Sequence, residues 1–98
     1  MKELMNLIDK MKEELHDAKH YAHCYQQYKT TNPVLAKRFY EMAQDEIKHS
    51  TYIHDMAVEQ INEIDPDVSF PEYMTMMWEE KHEHYLDKMA KIKNILAM

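Results

Sequence analysis

The stretch "EMAQDEIKHSTYIHDM", residues 41–56, contains neither glycine nor proline and repeats its apolar residues at helical period. Read outward at that spacing, Leu35, Phe39, Met42, Glu46, His49, Ile53 and Met56 share one face of a helix, widened by Ala43, Ala57 and Ile61. The face is apolar except at its centre, where a carboxylate and an imidazole sit. Burying that stripe requires partners for both, because an unpaired charge in an apolar setting is strongly destabilising.

Two breaks bound this helix and set the rest of the fold. In "TTNP", residues 30–33, Asn32 is the N-cap and Pro33 takes the first helical position, where its missing N–H costs nothing. In "DPDVSFPE", residues 65–72, one helix ends before Pro66. Another starts with Ser69 and Glu72 at capping-box spacing and Pro71 in the first turn. The expected helices span residues 2–29, 33–64 and 70–97, each about 40 Å long or more at about 1.5 Å per residue. The first carries the stripe Leu4, Leu7, Met11, Leu15, Ala18, Tyr21, Ala22, Tyr25 and Tyr28. The third carries Met74, Trp78, Tyr85, Leu86, Met89, Ile92 and Leu96. Short connections make neighbours antiparallel, so the expected architecture is all-α: one domain, residues 1–98, folded as an up-down-up three-helix bundle.

Composition agrees with that class and removes others. The 98 residues are 45% hydrophobic and 31% charged, as in a soluble globular chain. With no glycine there is no phosphate-cradling loop and little means of making hairpin turns. A net charge of −6 disfavours nucleic acid as a partner. No apolar run approaches a membrane span, and the first residues lack the apolar core of a signal peptide. The single cysteine, Cys24, fits a reducing compartment and is assigned no role. A cytoplasmic protein is expected.

The polar anomaly of the second helix recurs in the other two. Glu14 lies between Met11 and Ala18, and His82 lies between Trp78 and Tyr85 with Glu79 one turn earlier. Glu46/His49 and Glu79/His82 are therefore both Glu-x-x-His pairs, a spacing that projects two ligands to one side of a helix. Counted from the turns, Glu14, Glu46, His49 and His82 fall at a common level within about one turn. These four and Glu79 are the candidate metal ligands, with Asp17 and Glu83 as further candidates. Three carboxylates at one level, with no Lys or Arg on the stripes, would repel one another, and a divalent cation relieves that repulsion.

The blander readings stand beside this one. Glu13/His16 and Asp17/His20 have the same spacing but point away from the stripe, as a solvated surface does. The row His16, His20 and His23 reads as a polar face, and His54-Asp55 as structural or interfacial. The tyrosines are amphipathic core, with Tyr21 a candidate hydrogen-bonding or redox-active neighbour of the site. The methionines are adaptable filler. Ile8, Tyr40, Met77 and Ile95 exceed what one three-helix seam covers, so a homodimer is expected.

"ELHDAKHY", residues 14–21, followed about thirty residues later by "EMAQDEIKH", resembles the first helix pair of ferritin-like, rubrerythrin-type proteins. There a first-helix Glu precedes a Tyr by seven residues and the second helix carries Glu-x-x-His. The resemblance covers roughly residues 10 to 60, and "EEKH", residues 79–82, is similar to the family's second Glu-x-x-His. It implies Glu14 as a terminal ligand, Glu46 bridging, His49 on one metal, and Glu79 with His82 mirroring that pair. It implies a di-iron or di-manganese centre and ferroxidase or peroxide-reducing activity; by donor chemistry alone, mixed carboxylate and imidazole ligation also suits zinc. The family has four helices and a long crossover, whereas this chain has three with short links, so the position of the remaining Glu is left to Glu83 or Asp17, to water, or to a second subunit. No Cys-x-x-Cys segment is present. The competing expectation is a non-enzymatic helical interaction module whose polar core residues are merely hydrogen-bonded.

Overall fold

The structure, a computed structural model, describes residues 2–63 and 72–98. Among these residues it is entirely helical: α1 (Lys2–Tyr28), α2 (Pro33–Asn62) and α3 (Glu72–Ala97). The second break, with Pro66, Ser69 and Pro71, lies outside the described residues.

The first break behaves as the sequence dictates. Asn32 Oδ1 accepts the Leu35 N–H at 3.3 Å, and Pro33 opens α2. The Asn32 N–H in turn donates to the Tyr28 carbonyl at 2.9 Å, closing α1. At its far end α2 stops at Glu63, whose N–H donates to the Glu59 carbonyl at 3.0 Å.

Two buried clusters fix the order of the helices. Leu4, Ile8, Ala57 and Met74 pack at one end, joining the start of α1, the end of α2 and the start of α3. Met11, Leu15, Ala18, Ala22, Ala43, Ile47, Ile53, Tyr85, Met89, Ile92 and Leu96 form the main core. Thus α2 runs against α1 and α3, giving an up-down-up rod of 58 × 17 × 16 Å. Gln26 Nε2 near the end of α1 donates to the Ile95 carbonyl at 2.7 Å, tying the last turn of α3 to α1; the same carbonyl also accepts the Met98 N–H at 3.3 Å. No helix among the described residues is long and apolar enough to cross a membrane.

The core faces differ in one respect from those expected. In α2 the buried residues are Ala36, Ala43, Ile47, Ser50, Ile53 and Ala57. Ala43, Ile53 and Ala57 belong to the expected face, whereas Ala36, Ile47 and Ser50 lie one residue on from Leu35, Glu46 and His49, so the buried face is turned toward the Ala43–Ala57 edge. Met42 and Met56 are exposed by 40% and 43%, so they edge the core rather than fill it. The small residues win the seam because they let α1 and α2 approach closely, opposite Ala18 and Ala22. Ser50 is fully buried and satisfies its hydroxyl within its own helix, donating to the Ile47 carbonyl at 2.8 Å. In α3, Tyr85 is buried as expected, whereas Leu86 beside it is 53% exposed. Ile8 is buried, and Tyr40, Met77 and Ile95 pack against the clusters, so these four are covered within the chain.

Candidate metal centre

Because the α1–α2 seam is lined by small residues, side chains at its edge meet across it. Glu14 from α1 and Glu46 and His49 from α2 bring one ligand atom each to within 4.8 Å of the others. His49 Nδ1 lies 3.8 Å from Glu14 Oε2 and 3.7 Å from Glu46 Oε2, too far for hydrogen bonds. Glu14 and Glu46 are half-buried, whereas the His49 side chain is 56% exposed and forms the open side of the group. Glu46 Oε2 is itself buried without a hydrogen-bond partner among the described residues. One basic residue does reach the group: Lys10, a turn before Glu14, places Nζ 3.5 Å from Glu14 Oε1.

The two carboxylates shift one another in opposite directions. Hydrogen bonding with Glu14, then burial, then the charge of Glu14 push Glu46 up to about 7, with a smaller push from Asp17 and an opposing pull from His49. Glu14 moves the other way, held below the usual carboxylate range by its hydrogen bond with Glu46 and by Lys10. Adjacent like charges split in this manner, one group retaining the proton that lets the other ionise.

The remaining sequence candidates stand elsewhere. Asp17 is exposed on α1 beside the group, and Glu79 and Glu83 are exposed on α3. His82 faces inward but meets His54: their Nε2 atoms are 3.0 Å apart. Burial, then the charge of His54, lower the His82 pKa. Asp55 Oδ1 holds His54 Nδ1 at 3.1 Å. The His54 ring stacks on Tyr85 with centroids 4.9 Å apart and planes at 11°, and Trp78 stacks on His82 at 5.3 Å and 20°. The expected five-residue group is thus divided, with Glu14, Glu46 and His49 at the α1–α2 edge and His82 on the α2–α3 side. Tyr21 stacks on Phe39 at 6.3 Å, as does Tyr28 at 6.0 Å, so these tyrosines wall the α1–α2 edge toward the first turn.

His54, which the sequence reads as structural or interfacial, is the residue that meets His82. It falls four residues after Ser50 and three before Ala57, in register with the small-residue seam, and that register is the signal that places it inward.

Comparison with family models, with curated proteins and with solved structures finds no match to the chain.

Proposed function

We propose that this chain is a ferritin-like, rubrerythrin-type metal protein in which Glu14, Glu46 and His49 form half of a carboxylate–histidine centre. The observation carrying this reading is Glu46 Oε2, a buried carboxylate oxygen without a hydrogen-bond partner among the described residues, which faces a second carboxylate and an imidazole. A divalent cation would give this oxygen a partner and relieve the repulsion between the two carboxylates. The donor set of two carboxylates and one imidazole suits iron or manganese, with zinc the redox-inert alternative.

One Glu on α1 and one Glu-x-x-His on α2 make half of the set that di-metal helical bundles assemble from four helices. A second copy, related by a two-fold axis, supplies the other half. The edge that would meet it carries exposed Met42 and Met56 on either side of His49, an apolar rim suited to isologous pairing. A bound iron pair would supply oxidation of ferrous iron or reduction of oxygen or peroxide. The chain's own contributions are a low-pKa carboxylate at Glu14, a proton held on Glu46 that binding must displace, and the Tyr21–Phe39–Tyr28 stack flanking the site. A cytoplasmic location accords with this chemistry.

A second reading has its own support, because Lys10 and the proton retained by Glu46 already relieve part of the repulsion between the acids. On that reading the chain is a helical interaction module and no metal binds. Metal analysis of untagged protein incubated anaerobically with Fe(II) or Mn(II), with light scattering on the same sample, separates the two. Stoichiometric metal in a dimer supports the metal centre; metal-free protein after loading overturns it.

A further inference from the structure

The His54–His82 pair shares no residue with the Glu14–Glu46–His49 group, and its atoms are arranged for a different ligand. Both rings present Nε2, and the two nitrogens are 3.0 Å apart. Asp55 Oδ1, 3.1 Å from His54 Nδ1, favours a proton on that nitrogen and so leaves the His54 Nε2 lone pair directed at His82. A carboxylate behind an imidazole in this way is the usual support of a metal-binding histidine, fixing its tautomer and raising its basicity. Both rings are also held in place: His54 lies against Tyr85 and His82 against Trp78, so neither needs a large reorientation to bind.

We infer that His54 and His82 form a second, bis-imidazole metal site that takes a late divalent cation, Cu(II) above all, and clamps α3 to α2. The separation matches the cis pair of such a site. Nitrogens at about 2.0–2.1 Å from one ion subtend close to 90° when about 3.0 Å apart, the cis angle of a tetragonal site. A tetrahedral zinc angle would need a separation of about 3.3–3.4 Å at the same bond length. Neutral imidazoles without carboxylate in direct ligation also favour copper or nickel over iron, manganese or magnesium. Without metal, one Nε2–H donates to the other Nε2; on binding, that imidazole carries its proton on Nδ1 and the ion takes both lone pairs. No proton is gained or lost. Water completes the coordination on the open side, where the His54 side chain retains 20% exposure.

The protein carries its own reporter. Trp78 is the sole tryptophan, and its ring centroid lies 5.3 Å from that of His82 and 6.2 Å from that of His54. Cu(II) bound between the histidines would quench it at contact range. Titrating untagged full-length protein with Cu(II) should remove most of the tryptophan emission at one ion per chain and raise the melting midpoint. His54→Gln and His82→Gln, which keep a polar side chain of similar bulk, should each abolish both effects, and circular dichroism shows that they remain helical. Glu46→Gln and His49→Ala should leave the quenching intact, so failure of the carboxylate centre would not remove this site. The principal rivals for copper are the exposed row His16, His20 and His23 and the pair His20 Nε2 and Cys24 Sγ, 3.9 Å apart. Quenching that survives His54→Gln and His82→Gln, or that disappears in His20→Ala, overturns the proposal, as does the absence of stoichiometric quenching.

Discussion

Glu14 and Glu46, on facing edges of the first two helices, titrate in opposite directions: Glu14 is held below the usual carboxylate range and Glu46 is pushed up to about 7. The pair behaves as one diprotic group straddling the seam, so its protonation bears on folding as well as on any ligand.

The folded metal-free protein keeps a proton on Glu46 between its ordinary value of 4.5 and about 7, where the unfolded chain has released it. Stability from this group is therefore fully present at low pH and is lost as pH rises through about 7. Glu14 acts in the opposite sense, its contribution present above 4.5 and lost as pH falls through its lowered value. Glu46→Gln should remove the first slope, giving a melting midpoint that changes less from about pH 5 to about pH 8 and exceeds the parent's at the upper end. A variant that melts below the parent at the upper end would mean that the Glu46 carboxylate is a stabilising acceptor rather than one of two repelling charges.

Metal ligation should follow the seam and not the sequence motif. Glu46→Ala with His49→Ala should abolish stoichiometric Mn(II) or Fe(II), as should Glu14→Ala. His16→Ala, His20→Ala and Glu79→Ala should leave binding unchanged, because those side chains are exposed away from the group. Calorimetric titration of each variant measures this, and equal loss from the exposed positions would remove the basis for the assignment.

Pairing should depend on the rim beside His49. Replacing Met42 and Met56 together by Glu places like charges on both sides of a two-fold interface, while each side chain is already 40% or more exposed within the chain. The double variant should remain helical, run as a monomer by light scattering and bind less metal per chain. Unchanged mass and metal content would place any dimer contact on another surface.

Ser50 should tolerate shortening but not enlargement. Ser50→Ala loses one local hydrogen bond to the Ile47 carbonyl and should change stability by about 1 kcal/mol or less. Ser50→Leu drives extra volume into a seam with no room and should cost about 1–3 kcal/mol. Urea denaturation gives both values; a neutral leucine would show that the helices can part at this level.

How much of this was legible in the sequence varies by residue. The Asn32-Pro33 cap and the helical period of the apolar residues suffice for α1 and α2, because both are local properties of the chain. The meeting of Glu14 with Glu46 and His49 follows from their equal distance from a short turn between antiparallel helices. The centre of the α2 face is not legible from side-chain size: Met42 and Met56 look like its middle and Ala43 and Ala57 like its margin, yet the two alanines, with Ser50 between them, are the fully buried residues. Close helix approach rewards small residues, and that gain exists only in the folded pair. His82 was read correctly as inward-facing, but its partner depends on the orientation of α2, so the same rotation that exposes His49 delivers His54 to it.

The alanines beneath the candidate centre have a consequence beyond packing. Ala18 lies one turn after Glu14, Ala43 one turn before Glu46, and both are fully buried in the same cluster. The bore of the carboxylate pair is thus set from underneath, by how closely two methyl-bearing surfaces let the backbones approach. A change such as Ala43→Val would touch no ligand, yet it would spread the oxygens. Selectivity between smaller and larger cations would then be adjustable from inside the protein, by residues that never meet the ion.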